Sequence, residues 1–249
     1  MFPLRDDNPT IHKVFVTIII IIINALVWIF IQGLGFEPAL VKSIVRFGLI
    51  PGELLGTIAP GTSIPLNNQL SYVIENTPHW STLVTSMFMH GGWFHIIGNM
   101  WFLYVFGDNV EDAMGAFRFL FFYLFCGLAA AGSQMFLDPL SGVPMVGASG
   151  AISGIMGAYV VLYPKAPIHT LVFLGFFITR IIVPAYLMLG YWFLLQLFGS
   201  MPAAGSRSGG VAFAAHIGGF IAGVVLIFLF RKKDRMKRKK AARVWVRWR

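Results

Sequence analysis

Four polar side chains lie within strongly apolar stretches of this chain, and their types are those that carry out acyl transfer: Ser149, His216, His95 and Asn99. A serine hydroxyl becomes a nucleophile when a histidine within about 2.6–3.2 Å accepts its proton. Ser149 and His216 could form such a pair, with His216 acting as general base and then as general acid. The resulting oxyanion needs hydrogen-bond donors. The backbone N–H of Ser149 could supply one, and His95 and Asn99, which share a helix face at their four-residue spacing, could supply others.

Elimination narrows the catalytic group to a two-residue pair. Every acidic residue lies outside the apolar segments that we predict to span a membrane, so no carboxylate is available for a serine–histidine–aspartate triad or an intramembrane aspartyl protease. The acids are Asp6, Asp7, Glu37, Glu53, Glu75, Asp108, Glu111, Asp112, Asp138 and Asp234. No lysine lies in a predicted span, which excludes a serine–lysine pair. A zinc site at His90, His95 and His216 is disfavoured because the HExxH pattern is absent and no acid could complete the site.

Glycines surround the serine and follow the histidine at a regular spacing. The motifs Gly150-x-x-x-Gly154 and Gly219-x-x-x-Gly223 have the small-x-x-x-small pattern that lets two helix backbones approach closely in a membrane. We therefore predict that Gly150 and Gly154 admit the helix of His216, while Gly147 leaves the serine N–H uncrowded. Gly147, Gly150 and Gly219 are thus predicted to support the site.

The composition is that of a membrane protein. Apolar residues make up 57% of the 249 residues and charged residues 12%, and the mean hydropathy is +0.75. Soluble domains contain about 25% charged residues. The single cysteine, Cys126, excludes an intramolecular disulfide.

Six apolar segments approach the length of about 20 residues that a helix needs to span a bilayer: residues 14–32, 82–106, 117–137, 146–163, 182–198 and 211–230. A polar turn at residues 107–112 is predicted to end the second span. Residues 168–179 would make the fifth span too long, so we predict an interfacial segment there. The predicted fold is an all-α membrane protein, a six-transmembrane-helix bundle with a long, membrane-associated first outer loop at residues 33–80.

The chain divides into three predicted parts: residues 1–74 with the first span and long loop, a core at residues 75–230, and a basic tail at residues 231–249. The tail holds eleven of the nineteen lysine and arginine residues. The positive-inside rule therefore predicts cytoplasmic termini for a multi-pass protein of the cell (inner) membrane. We expect the tail to lie on anionic lipid head groups and not to bind nucleic acid. Ser149 and His216 then lie about 5–8 Å below the outer boundary.

At these residues the chain resembles the rhomboid family of intramembrane serine proteases. The motifs are His90-x4-His95-x3-Asn99, Gly147-Ala148-Ser149-Gly150 and Ala215-His216-x2-Gly219-x3-Gly223, and the resemblance covers about residues 75–230. It implies Ser149 as nucleophile and His216 as base, with His95 and Asn99 as oxyanion donors and His90 as a supporting residue. It also implies cleavage of the transmembrane segment of a substrate protein at a small residue where the helix is unstable, with no cofactor.

The chain departs from the family pattern at two places. Many rhomboids carry Trp-Arg in the long first loop, whereas serine follows Trp80 here. Some place a tyrosine four residues after the catalytic serine, where it stacks on the histidine, and that position is Ser153 here. Other residues must therefore pack the loop and stack on His216.

Two other functional classes are weighed against a protease. A small transporter would use the outer histidines to handle protons or ions, but no ionisable residue lies in the inner half of the predicted spans to continue a route. A catalytically inactive rhomboid-like protein would bind membrane clients, but the intact Ser149 and His216 argue against it. We expect the fifth span and the loop after it, residues 199–210, to move during gating.

Overall fold

The computed structural model describes residues 1–65, 70–74, 79–174, 177–200 and 213–246. Its helices are, in chain order, α1 (Val16–Phe30), α2 (Ala39–Phe47), α3 (Pro51–Leu54), α4 (Thr82–Thr85), α5 (Trp93–Met114), α6 (Ala116–Leu137), α7 (Ser149–Leu162), α8 (Ala185–Ser200), α9 (Phe213–Phe230) and α10 (Lys233–Val246). Single 3-10 turns occupy Gly33–Gly35 and Ser86–Phe88. The strands are β1 (Phe2–Asp6), β2 (Ser63–Pro65), β3 (Ser71–Val73), β4 (Pro167–Leu174) and β5 (Phe177–Pro184).

Most of the described chain is helical, and each predicted span overlaps one helix: α1, α5, α6, α7, α8 and α9. Within the described ranges, α6 and α9 are long and apolar enough to cross a membrane by length and composition. The helices α1, α7 and α8 are shorter apolar helices. The six-span arrangement itself stays a prediction.

Helix α7 lies at the centre of the bundle and packs against α9, α6 and α5. All of its residues from Gly150 to Tyr159 are buried. Aromatic side chains with no exposed surface surround it, including Phe106 of α5 and Phe119 and Tyr123 of α6. Side chains of this size each contribute a few kcal/mol through burial, so α7 is held in place by a well-buried apolar core.

The second long helix differs from its predicted bounds at both ends. It begins at Trp93, after the short helix α4, a 3-10 turn that ends at Phe88 and a connection whose Met89 and Gly92 are extended. It also continues through the predicted polar turn at residues 107–112 and ends at Met114, followed by Gly115 at φ +81°. The polar residues stay helical because other segments of the chain bind their side chains. The expectation that no acid lies within the helices of the predicted spans is therefore wrong for α5, which contains Asp108, Glu111 and Asp112.

Glu111 is one of these residues, and it caps a different helix. Helix α1 has no side-chain cap of its own at Phe15. The buried Glu111 carboxylate instead accepts hydrogen bonds from the backbone N–H groups of Phe15, Val16 and Thr17 at 2.8–2.9 Å, and from the Thr17 hydroxyl at 2.8 Å. The first N–H groups of a helix lack partners within it and favour a negative charge. Glu111 thus fixes where α1 begins.

Asp112 binds both terminal segments. Its carboxylate accepts hydrogen bonds from the backbone N–H groups of Ile11 and His12 at 3.2 and 3.1 Å. It also forms an ion pair with Lys239 of α10 at 3.0 Å, and the Lys239 ammonium donates to Asn109 Oδ1 at 2.6 Å. Lys239 is only 2% exposed. The basic tail therefore does not lie wholly on lipid as expected, since one of its lysines is buried in the protein. We call Asn109, Glu111, Asp112 and Lys239 the charged cluster.

Two small antiparallel sheets correct the all-α prediction. The expected interfacial segment at residues 168–179 forms most of a hairpin, in which Pro167 of β4 pairs with Pro184 of β5. β-branched and aromatic residues, which favour strands over helix, make up four of the eight residues of β4 and six of the eight residues of β5. Strand β1 pairs with β4, so the chain's N-terminal segment joins a three-stranded sheet in the order β1-β4-β5. The second sheet, β2-β3, belongs to the long loop.

The long predicted loop is folded where the structure describes it. It contains α2, α3 and the hairpin of β2 and β3, and Ile50, Tyr72 and Ile74 form a small apolar core of their own. Its association with a membrane stays a prediction. The predicted mobile loop at residues 199–210 lies outside the described residues from position 201 onward.

Candidate active site

Ser149 is the first residue of α7, and Gly147 shapes the chain just before it. Gly147 has φ +125°, which side-chain-bearing residues rarely adopt, and its N–H donates to the Ser86 carbonyl at 2.9 Å. A Cβ at Gly147 would lie 2.7 Å from His95 Nε2. Position 147 therefore requires glycine for its backbone conformation and for the closeness of the His95 ring.

The Ser149 hydroxyl meets the ring of His216 on α9. The distance from Ser149 Oγ to His216 Nε2 is 2.8 Å, although the residues are 67 positions apart in sequence. This distance lies within the range for base-assisted attack by a serine hydroxyl. The structure thus brings the predicted nucleophile and base together.

The predicted glycine contact between the two helices is present, but the glycines differ in what they face. A Cβ at Gly219 would lie 2.1 Å from the Gly150 carbonyl oxygen, and one at Gly223 would lie 1.9 Å from that of Gly154. The glycines of α9 are therefore what admits α7. A Cβ at Gly150 would instead meet Ala130 Cβ of α6 at 2.5 Å. The prediction that Gly150 admits α9 is wrong, because its open side accommodates α6.

Donors converge at the backbone that precedes the serine. His95 Nδ1 accepts a hydrogen bond from the Gly91 N–H at 3.3 Å, so the neutral ring carries its proton on Nε2, the atom facing Gly147. Asn99 is 8% exposed, and its Nδ2 has no partner among the described residues. The first N–H groups of α7 also lack partners within the helix. Such unoccupied donors beside a nucleophile suit an oxyanion.

His90 lies in the connection before α5 and packs against His95, one of the predicted oxyanion donors. Its backbone N–H and carbonyl form a reciprocal pair of hydrogen bonds with the Gln32 side chain, at 2.8 and 2.7 Å. The His90 ring packs edge-on against His95 with centroids 5.1 Å apart. Both ring nitrogens of His90 are buried and have no hydrogen-bond partner among the described residues. Gln32 was not predicted, although a glutamine ending an apolar helix was a readable signal.

The acids of α5 do not reach this site. Asp108 is nine residues after Asn99 on the same helix, a separation of about 14 Å. Glu111 and Asp112 are farther still and belong to the charged cluster. Among the residues that the structure describes, no three His, Cys, Asp or Glu side chains lie close enough together to hold a metal ion.

Comparison with known proteins identifies the family. The family profile described as Rhomboid domain matches residues 77–233. The chain belongs to the rhomboid family. Rhomboid proteins are integral to membranes, and some members of the family bear names that describe proteases.

Individual rhomboid relatives match across the same part of the chain. The chain is 34% identical over 165 residues to rhomboid-like protein 11, chloroplastic, of Arabidopsis thaliana, covering 65% of this chain and 56% of that protein. It is 30% identical over 173 residues to rhomboid protein 1, mitochondrial, of Saccharomyces cerevisiae, covering 66% and 46%. It is 33% identical over 141 residues to rhomboid protease GluP of Bacillus subtilis, covering 56% and 26%. The chain thus spans about half the length, or less, of these relatives.

The two departures from the rhomboid pattern have different outcomes. Trp80, which lacks the following arginine, is 59% exposed. Ser153, at the position of the tyrosine, is fully buried, and its hydroxyl donates to the Ser149 carbonyl at 2.6 Å. Trp192 of α8 contacts the His216 ring instead, with centroids 5.8 Å apart and planes tilted by 41°. The aromatic neighbour of the rhomboid histidine comes here from another helix.

One polar residue beside the rhomboid histidine was not predicted. His216 Nδ1 lies 2.8 Å from Oε1 of Gln196, one turn after Trp192 on α8. Gln196 is 9% exposed. Its sequence signal was a lone polar side chain four residues after a tryptophan in an otherwise apolar segment, which places the two residues on one helix face.

Proposed function

We propose that this protein is an intramembrane serine endopeptidase that hydrolyses peptide bonds in or near the transmembrane segments of membrane proteins. The 2.8 Å contact between Ser149 Oγ and His216 Nε2 is the observation that carries the proposal. Membership in a family that includes named proteases supports it.

The proposed reaction has two stages, acylation of Ser149 and hydrolysis of the acyl-enzyme, and His216 takes part in both. His216 Nε2 accepts the Ser149 proton as Oγ attacks the scissile carbonyl carbon, and the protonated ring then delivers that proton to the departing amine. Water next attacks the acyl-enzyme, with His216 as base, and releases the second product. The oxyanion of each tetrahedral intermediate would accept hydrogen bonds from Asn99 Nδ2, His95 Nε2 and the Ser149 N–H. No cofactor takes part in this scheme.

We also propose the arrangement in the membrane. Six helices, α1, α5, α6, α7, α8 and α9, would span a cell (inner) membrane, with the long loop on its outer face. Both termini would lie in the cytoplasm because the basic residues concentrate in the tail. The exposed basic residues of α10, such as Lys237 and Arg238, would contact anionic lipid head groups. The Ser149–His216 pair would then lie near the outer face.

The proposal is tested with purified protein in liposomes and a single-span substrate protein. Ser149→Ala should abolish cleavage, because the nucleophilic oxygen is removed. Ser133→Ala is the matched control, since Ser133 lies on α6 and, among the described residues, its hydroxyl bonds to its own helix backbone at the Ala129 carbonyl. This control should cleave at the rate of the unchanged protein.

Equal product from Ser149→Ala and the unchanged protein would contradict the protease assignment. Retained binding of the substrate without any cleavage by the unchanged protein would favour the client-binding alternative instead. Accumulation of an ion or solute inside the liposomes, in the absence of cleavage, would favour a transporter.

A further inference from the structure

A histidine can act as general base toward a serine only in one tautomer. Neutral imidazole carries its proton on one ring nitrogen and accepts at the other. In this site Nε2 faces Ser149, so the proton must be on Nδ1 for Nε2 to accept the hydroxyl proton. In serine proteases with a triad, a carboxylate bound to Nδ1 selects that tautomer. No carboxylate of the described residues contacts His216.

Gln196 occupies the position that such a carboxylate would take. Its Oε1 lies 2.8 Å from His216 Nδ1. An amide oxygen only accepts hydrogen bonds, so the contact requires a proton on Nδ1. It therefore selects the tautomer in which Nε2 is free to act as base.

A second contact fixes which end of the Gln196 amide faces the histidine. Gln196 Nε2 lies 3.4 Å from the Trp192 carbonyl oxygen, one turn earlier on α8, and donates to it. A reversed amide would place its oxygen against that carbonyl oxygen and its NH2 group against His216 Nδ1. The favourable orientation is thus the one that presents Oε1 to the ring.

A neutral acceptor also suits this location better than a carboxylate. An ionised side chain within an apolar bundle costs several kcal/mol unless it faces a partner or water. The amide selects the same tautomer without burying a charge. It stabilises the imidazolium less than a carboxylate would, because its oxygen carries only a partial charge.

We propose that Gln196 is a positioning residue of the catalytic site, completing a Ser149–His216–Gln196 relay across α7, α9 and α8. This inference rests on the proposed protease function. Gln196 holds the His216 ring in its base-competent tautomer, and Trp192 packs against the same ring. Helix α8 thus supplies both the aromatic neighbour of His216, Trp192, and its third polar partner, Gln196.

The first test measures the His216 tautomer directly, without substrate. Protein labelled with 15N-histidine is compared with its His216→Ala variant to assign the His216 ring signals. The unchanged protein should show protonated Nδ1 and unprotonated Nε2 at neutral pH. Gln196→Met, which keeps the side-chain length but removes the amide, should lose this preference. Gln134→Met on α6 is the control and should keep it, because the hydrogen-bond and ring partners that the structure describes for His216 are Ser149, Gln196 and Trp192.

The second test measures cleavage kinetics of the same variants. Gln196→Met should lower kcat by roughly 3–10-fold, the effect of one neutral hydrogen bond, and leave KM unchanged. Gln196→Glu keeps an acceptor and should retain more activity than Gln196→Met. The acid limb of its kcat/KM profile should move to higher pH, because the carboxylate stabilises the imidazolium. Thermal unfolding should show that both variants are folded.

The proposal is overturned if Gln196→Met keeps the Nδ1-protonated tautomer and cleaves as fast as Gln134→Met. Failure of the protease function has a different result. Cleavage would then be absent, or would survive Ser149→Ala, whereas the tautomer measurement would still report whether Gln196 binds Nδ1.

Discussion

The charged cluster and the candidate active site lie at opposite ends of α5 and treat buried polar groups in opposite ways. In the charged cluster, both Glu111 oxygens accept hydrogen bonds and Lys239 bridges Asp112 and Asn109. At the active site, Asn99 Nδ2 and both ring nitrogens of His90 have no partner among the described residues. The cluster is saturated and connects chain segments, whereas the site keeps donors available.

The difference also extends to charge. Leaving a buried donor without a partner costs about 1–3 kcal/mol, and the dense packing around α7 can offset that cost. A buried carboxylate without a partner would cost more. The protein places its buried acids where the terminal segments can bind them, and it builds its catalytic relay from neutral groups. Substitutions at the two ends should therefore separate activity from stability.

The largest expected effect is on activity alone. His216→Ala should lower the cleavage rate by about 10⁴-fold or more, because the serine loses its only described base. The thermal unfolding midpoint in detergent should change far less than the activity, since His216 is partly exposed and the packing it loses is mainly its contact with Trp192. His12→Ala, a histidine beside the charged cluster, is the control and should retain cleavage. Loss of cleavage in both variants would break the comparison.

The next effect should appear in stability alone. Lys239→Met should lower the free energy of unfolding by about 3 kcal/mol, because it removes the cationic partner of a buried ion pair and leaves the Asp112 carboxylate with only its contacts to Ile11 and His12. Lys237→Met on the exposed side of α10 should be nearly neutral. Chemical denaturation in detergent measures both. The folded Lys239→Met protein should cleave substrate normally, and a selective loss of kcat would link the cluster to catalysis.

Asn99→Ala should again reduce activity without a matching loss of stability. Removal of one oxyanion donor lowers kcat by about 10²–10³-fold. Because Asn99 Nδ2 has no described partner in the resting protein, its removal should leave the unfolding midpoint unchanged or raise it slightly. Steady-state kinetics and thermal unfolding of the same preparation give both values. An unchanged kcat would remove Asn99 from the site.

The smallest expected effect refines the role of Glu111. Thr17→Val keeps the shape of the side chain but removes the hydroxyl that donates to the Glu111 carboxylate at 2.8 Å. The free energy of unfolding should fall by about 1.5–3 kcal/mol, the range for a hydrogen bond to a charged group. Cleavage should not change. A loss larger than that of Lys239→Met would show that Thr17 acts through packing against Gly107 instead.

The sequence predicted the catalytic pair because its signals are strong and local. Ser149 lies between glycines, and His216 precedes a glycine motif. Both lie in apolar segments, where a polar side chain needs a polar partner, so the two residues were predicted to pair with each other. His95 and Asn99 followed from their four-residue spacing. The helices α6, α7 and α9 followed from apolar length. Each of these inferences used residue types within a short window.

The sequence did not reveal what depends on distant contacts. The sequence of β4 and β5 is largely apolar, and the periodicity of an apolar run does not show whether it forms a strand or a helix. The sequence predicted a turn around Glu111, because the partners of Glu111 at the start of α1 lie about 95 positions away in the chain. The role of Gln196 depends on the packing of α8 against α9, which brings its amide to His216 and is not visible in the sequence. In each case the missing information was a tertiary partner.

Active-site labelling tests the central claim most directly, namely that Ser149 is a nucleophile activated by His216. The protein is incubated in detergent with a fluorophosphonate, and the modified residue is identified by mass spectrometry. Ser149 should be labelled in the unchanged protein, in Ser133→Ala and in Lys239→Met, and should stay unlabelled in His216→Ala. Labelling of a different serine, or labelling of Ser149 at full rate in His216→Ala, would contradict the account.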